Sequence, residues 1–133
     1  MKTVVALVTL LLIAPLSGTA LASDIEMSGS WTQKESKIAG QWSIVQDGDG
    51  LRVHLSDDFK TKSAPDLKIF LSRDAPDVLN GKNATRNAVL VAPLDSAKGG
   101  QSFAIPEGID LSEFRTILIQ CEKYSKLWGV ATL

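Results

Sequence analysis

From Ser23 onward, apolar and polar residues alternate in short segments that Gly, Pro and Asp separate. A period of two, interrupted by turn-forming residues, is typical of antiparallel strands joined by tight turns. Outside the first 22 residues, no stretch sustains the 3.6-residue period of an amphipathic helix. The pattern predicts an all-β fold, a small antiparallel β-sandwich, with a Greek-key or barrel-like variant as the alternative.

The clearest unit is a β-hairpin over residues 37–55, with Asp47-Gly48-Asp49-Gly50 as its loop. Apolar residues fall on one face of each strand. They are Ile38, Trp42 and Ile44 in the first strand, and Leu51, Val53 and Leu55 in the second. A four-residue loop sets Trp42 opposite Leu55 and Ile44 opposite Val53, so the turn and the apolar pattern agree on one register.

Five further strands are predicted, at residues 66–72, 88–92, 102–105, 114–121 and 127–133. The first of these carries apolar side chains on both faces, so both faces are expected to be partly covered. Residues 80–87 are polar and contain glycine, which predicts a loop. The last two strands form a hairpin across four or five polar residues. The shared core is predicted to contain Trp42, Val53, Leu55, Ile69, Leu71, Ile117 and Ile119.

The N-terminus has the features of an export signal. Lys2 supplies a positive charge, an apolar stretch follows, and Ala20-Leu21-Ala22 is a small-x-small cleavage site. An uncleaved membrane anchor is the alternative, because the charge-free stretch approaches the roughly 20 residues that span a bilayer. We expect cleavage after Ala22, which leaves a single β domain over residues 23–133. The product is then extracytoplasmic, periplasmic or secreted, with no stable membrane insertion.

Charge and residue counts narrow the classes of partner. The chain has 14 Lys and Arg against 15 Asp and Glu, and no run of basic residues. This balance argues against nucleic acid or an anionic membrane held by bulk electrostatics. One histidine and one cysteine cannot build a zinc cluster. The pairs Asp57-Asp58 and Asp47/Asp49 lack the spacing of a calcium loop and are better explained as turn residues, so no metal site is predicted.

Cys121 is the only cysteine. In an exported protein a lone thiol is a core residue, a reactive or ligating group, or a bridge to another chain. Ile117 and Ile119 share its face, which favours a buried, inert sulfur. Its position before a loop, near Lys123 and Lys126, favours a half-exposed thiolate instead. A loop over residues 123–126 would set Cys121 opposite Trp128.

His54 is the one candidate base for a Cys–His pair. Because Val53 and Leu55 point to the core, alternation sends His54 to the opposite, exposed face. A thiol hydrolase is therefore a weak candidate, since neither a positioned base nor an orienting carboxylate can be named.

Three stretches of the chain together resemble the DM13 domain family. They are residues 63–72, residues 99–106, and residues 117–121 followed by residues 127–133. The resemblance implies an extracytoplasmic β-sandwich-like domain, related in proposed role to DOMON modules, with a single cysteine that matches Cys121. The chain departs from the family at Gln120, where an aromatic residue often precedes the cysteine. The aromatic content of 6% is also low for a haem pocket.

The resemblance implies redox or electron transfer, through a free thiol or through attachment of a prosthetic group such as haem. Cys121 is the predicted redox or ligand-binding residue, with Trp128 beside it as a candidate cofactor contact. The partner would be an unidentified redox protein, or a small-molecule or prosthetic-group ligand. The alternative is a non-enzymatic binding or assembly module in which Cys121 is only a core residue and the loop face Asp74–Asn87 is the working surface.

Overall fold

A computed structural model describes residues 13–15 and 25–133. The predicted export signal lies outside the described residues, apart from 13–15, and stays a prediction. The described chain is built from eleven strands and two short 3₁₀ turns, Pro76–Val78 and Leu111–Glu113. The strands are β1 (Ile25–Ser30), β2 (Thr32–Gln33), β3 (Ile38–Ala39), β4 (Gln41–Asp47), β5 (Gly50–Leu55), β6 (Lys60–Thr61), β7 (Leu67–Ser72), β8 (Ala88–Pro93), β9 (Gln101–Ala104), β10 (Thr116–Cys121) and β11 (Lys126–Thr132).

Two antiparallel sheets face each other. One has the order β1-β4-β5-β9 and the other the order β2-β11-β10-β7-β8, while β3 and β6 form a small two-stranded sheet. Side chains from both large sheets meet in one core, which contains every residue of the predicted core set. The all-β sandwich prediction is confirmed, and the described strands do not close into a barrel.

The β4–β5 hairpin has the predicted register. Trp42 pairs with Leu55 and Ile44 pairs with Val53. The loop differs from the prediction, because Asp47 still pairs with Gly50 and the turn contains only Gly48 and Asp49. The register survives because extending the ladder by one pair shortens the loop without shifting the strands.

The predicted first strand of this hairpin is broken at Gly40. Ile38 belongs to β3 and pairs with Thr61 in β6, instead of continuing into β4. Gly40 has a φ of +90°, and a Cβ built on it would lie 2.7 Å from the Cα of Phe59. Only glycine tolerates this turn and this close approach, so the chain changes partner here.

The outer face of the five-stranded sheet is also covered. Phe70 and Leu118 point to this face and pack with Leu79 and Ala84 from the segment between β7 and β8. This confirms the expectation that residues 66–72 are covered on both faces. It also explains why every residue of β10 is buried.

The terminal hairpin differs from the prediction by one residue. Its turn is Glu122–Ser125 and Cys121 pairs with Lys126, so the expected pairing of Cys121 with Trp128 is wrong. The register then shifts, because Gln120 pairs with Leu127 while Ile119 pairs with Gly129. Trp128 is the extra residue of a β-bulge.

Strand β1 was not predicted, because its Ser- and Gly-containing sequence lacks a clear apolar face. In residues 13–15 and 25–133 there is no helix long and apolar enough to cross a membrane.

Candidate functional site

Cys121 is fully buried, with an exposed fraction of 0%. It ends β10, which lies between β7 and β11, and it pairs with Leu67 on one side and Lys126 on the other. Both neighbouring strands extend as far as Cys121, so the end of the strand is shielded laterally. The sulfur belongs to the core between the two sheets, together with Ile117 and Ile119. The apolar-face interpretation of this residue therefore describes its environment better than the half-exposed one.

Trp128 reaches the same core by way of the bulge. Its neighbour Leu127 packs on the outer face of the sheet, whereas Trp128 packs between the sheets with Cys121. The indole is 7% exposed, and its Nε1 donates a hydrogen bond to the carbonyl oxygen of Lys62 at 3.2 Å. Cys121 and Trp128 thus share the inter-sheet core without being cross-strand partners.

An ion-pair cluster holds the end of this hairpin to β7. Lys68 donates to Glu122, and its Nζ lies 3.3 Å from Oδ1 of Asp66. The backbone N–H of Glu122 also donates to the carbonyl oxygen of Asp66 at 3.0 Å. The hydrogen bond to Glu122 is the main reason that the pKa of Lys68 is raised above its ordinary value. We call this cluster, together with the turn Glu122–Ser125, the hairpin end.

His54 lies on the outer face of the four-stranded sheet, as predicted from alternation. It is half-buried between its cross-strand neighbours Ser43 and Ser102. Cys121 points into the core from the opposite sheet, so the structure does not bring these two residues together. His54 therefore cannot act as a base for Cys121, and the structure does not support the thiol hydrolase alternative.

Haem does not fit the residues around Cys121. An axial thiolate would have to reach the iron from a sulfur that is fully buried in the core between the sheets, and His54 lies on the far face of the other sheet.

The acidic residues of the calcium alternative lie in turns or directly beside them. Asp58 accepts a hydrogen bond from the hydroxyl of Ser56 at 2.5 Å, and Asp47 ends β4. Within the described part of the chain, three or more His, Cys, Asp or Glu side chains do not come together as a metal site.

Gln120 fastens the segment between β7 and β8 to the sheet. Its side chain is 2% exposed, and its Nε2 donates to the carbonyl oxygen of Gly81 at 2.9 Å. Across the described residues its Oε1 finds no hydrogen-bond partner. Gln120 therefore places a polar anchor under the loop face Asp74–Asn87.

A cleft of about 500 Å³ lies beside the small β3–β6 sheet, and the sequence did not predict it. Three exposed lysines line it, Lys37, Lys60 and Lys62, along with Gln33, Ile38, Ala39 and Thr61. The only hint in the sequence is the Lys60-x-Lys62 spacing, because Lys37 joins the other two only through the pairing of β3 with β6. We call this feature the lysine cleft.

One family matches most of the chain. The family described as "Electron transfer DM13" matches residues 30–133, a range that includes Cys121, Trp128 and the lysine cleft. No curated protein and no solved structure matches the chain.

Proposed function

The chain belongs to the DM13 family, which is described as an electron-transfer family, and we propose that its redox group is the Cys121 thiol. The domain would act outside the cytoplasm, after cleavage behind Ala22, on a redox partner. The observation that supports this role most strongly is the position of the thiol. It is the only one in the chain, and it is buried one residue before an exposed turn.

The sulfur of Cys121 is shielded from solvent, but it lies at the end of a strand and not in the middle of the sheet. Solvent oxidants do not reach it in the closed fold, whereas opening of the hairpin end would expose it without unfolding the two sheets. Strand ends and exposed turns open locally at a lower free energy than the whole domain. The hairpin end would therefore act as a gate for Cys121.

The oxidised form of this thiol must involve a second molecule or an oxygen atom, because the chain has no second cysteine. With a disulfide-bearing partner, the Cys121 thiol releases its proton to solvent and the thiolate attacks one partner sulfur. The partner S–S bond breaks, a mixed disulfide forms, and the other partner sulfur leaves as a thiolate with the electron pair. Resolution by another thiolate would restore Cys121.

Native-state alkylation tests the gate. We expect an excess of a small alkylating reagent to modify the folded mature chain on the order of ten times faster than the domain unfolds globally. Lys68→Met removes the charge that bonds Glu122 and Asp66, so it should raise this rate severalfold relative to the unfolding rate. Arg52→Met is the matched control, because Arg52 makes its ion pair with Asp47 on the other sheet. It should leave the alkylation rate of Cys121 unchanged.

Replacement of the thiol tests the redox role itself. Incubation with glutathione disulfide should add one glutathione mass to the wild-type chain and none to Cys121→Ser. Serine places a hydroxyl in an apolar site, so this variant should lose about 1 to 3 kcal/mol of unfolding free energy. Alkylation no faster than global unfolding, with no glutathione adduct on the folded chain, would overturn the proposal.

A binding or assembly module is the second candidate, and the full burial of Cys121 favours it. In this case Cys121 only fills the core. The Cys121→Ser variant would then be destabilised but would keep all activity per folded molecule. An absorption spectrum of protein from its native compartment, with a thiol titration on the same sample, separates the two candidates and also reports any haem as a Soret band.

A further inference from the structure

The lysine cleft has the size of a small-molecule site. Its volume of about 500 Å³ lies within the range of about 300 to 1,000 Å³ that is usual for such sites. It lies where the two-stranded sheet of β3 and β6 meets the edge strand β2, which contributes Gln33. Cys121 does not line the cleft, so a ligand bound there would give the domain a property beyond the proposed redox function.

The floor of the cleft is apolar and continuous with the protein core. Ile38 lines the cleft and also packs against the inter-sheet core. Gly129 lies directly behind it, and a Cβ built on Gly129 would lie 3.1 Å from Cγ2 of Ile38. The side chain of Ile38 is thus supported from behind and presents a fixed apolar surface to the cleft. Burying such a surface favours a ligand with an apolar body.

The rim of the cleft is cationic. In the described ranges, the ion pairs within 4.0 Å involve Arg52 and Lys68 only, so Lys37, Lys60 and Lys62 have no carboxylate neighbour at that distance. The hydroxyl of Thr61 in β6 donates to the carbonyl oxygen of Lys37, the residue before β3, at 2.6 Å, and this bond holds the two segments together. Three like charges held at one opening attract an anion.

We propose that the lysine cleft binds an amphipathic organic anion, a compact apolar body that carries a carboxylate. The body would lie on Ile38 and Ala39, while the carboxylate would accept hydrogen bonds from the lysine ammonium groups. Charge alone would suit any polyanion, but a small cleft with an apolar floor adds a preference for a small ligand with both features. Trp128 bonds to the backbone of Lys62, so its indole fluorescence should respond to binding.

Three probes, each added to the mature chain, test the apolar body and the negative charge of the ligand separately. The first is 2-naphthoate, which has both a body and a charge, the second is acetate, which has only the charge, and the third is 2-naphthalenemethanol, which has only the body. We expect 2-naphthoate to bind in isothermal titration calorimetry, more weakly as salt increases, and the other two to bind at least about tenfold more weakly.

Charge variants locate the site. The double variant Lys60→Gln/Lys62→Gln should weaken 2-naphthoate binding about tenfold or more. Lys82→Gln, an exposed lysine in the loop between β7 and β8, is the matched control and should leave the affinity unchanged. Circular dichroism of each variant verifies the fold. Cys121→Ser should bind 2-naphthoate normally, so failure of the redox proposal and failure of this one are distinguishable.

Five outcomes would overturn the proposal, and four of them concern the small probes and the control variant. They are no binding of 2-naphthoate at millimolar concentration, equal binding of acetate, equal binding of 2-naphthalenemethanol, and equal loss of affinity in Lys82→Gln. Tighter binding of a polyanion such as heparin, lost in the double lysine variant, would likewise overturn it and identify the cleft as part of a macromolecular interface.

Discussion

A single residue, Gly40, determines where the small β3–β6 sheet separates from β4. Its φ of +90° is strained for any residue with a Cβ. A side chain there would also meet the backbone of Phe59, with 2.7 Å to Cα and 2.8 Å to N. Phe59 is 1% exposed and belongs to the core, so its backbone has little room to retreat. The position of the lysine cleft therefore depends on this glycine.

We predict that Gly40→Ala lowers the unfolding free energy by about 3 kcal/mol, because backbone strain and a backbone clash add. Gly48→Ala is the matched control. Gly48 also has a positive φ, +61°, but a Cβ there meets nothing within 4 Å. It should cost only about 1 kcal/mol, the strain alone. Urea unfolding of both variants measures the difference, and equal costs would show that Phe59 yields to the added methyl group.

Cys121 shows what could be predicted for a single residue and what could not. Alternation with Ile117 and Ile119 placed its side chain on the apolar face, and the structure confirms this. The extent of burial could not be read from the sequence. It depends on how far β7 and β11 extend beside Cys121, which is a property of neighbouring strands.

Asp110 stabilises a short element, the 3₁₀ turn Leu111–Glu113. Its Oδ1 accepts hydrogen bonds from the backbone N–H of Ser112 at 3.0 Å and from the Ser112 hydroxyl at 2.7 Å. The hydroxyl bond is the main cause, and the backbone bond the second, of a pKa for Asp110 below its ordinary value of 3.8. A lowered pKa in the folded state means that the charged carboxylate stabilises the fold above the ordinary pKa.

We therefore predict that Asp110→Ala is less stable than the wild type at neutral pH, and that the gap closes in acid. The gap should be constant above the ordinary pKa of Asp and shrink as the pH falls through the lowered pKa, where the wild-type carboxylate becomes protonated. Chemical unfolding at a series of pH values measures this. A gap independent of pH would mean that the charge of Asp110 contributes nothing to the turn.

The two hairpins explain why one register could be predicted and the other could not. In β4 and β5, polar residues such as Ser43 and His54 alternate with apolar ones and mark which side chains face the core. In β11, residues 127–131 are all apolar or glycine. A strand buried on both faces carries no polar residues to show which side chains face the core. The bulge at Trp128 therefore could not be recognised from the sequence.

At the scale of the whole molecule, the lysine cleft could not be predicted because its charges come from distant segments. Lys37 and Lys60 meet only when β3 pairs with β6. The balanced composition argued only against a partner held by bulk electrostatics, whereas the fold concentrates three lysines at one opening. Net charge describes the molecule as a whole and does not describe the field at one site.

Trp42 links the two sheets and offers a test of the molecule as one cooperative unit. It is 2% exposed and lies in the core shared by both sheets. Its indole fits over Gly29 of β1, where an added Cβ would lie 3.2 Å from Cζ2. Within the described part of the chain, its Nε1 has no hydrogen-bond partner. The ring therefore contributes through packing, and its N–H group reduces that contribution.

We predict that Trp42→Ala lowers the unfolding free energy by about 3 to 5 kcal/mol, the usual cost of removing a buried aromatic side chain. Trp42→Phe should cost only about 1 to 2 kcal/mol, because it retains a ring and removes the unpaired donor. Both variants keep Trp128 in the five-stranded sheet and Trp31 between β1 and β2 as fluorescent reporters, while far-ultraviolet circular dichroism reports both sheets. The two signals should change together as urea increases, since a single core joins the sheets. Fluorescence and dichroism transitions that separate would show that the sheets unfold independently, and a cost below about 1 kcal/mol for alanine would contradict the burial of Trp42.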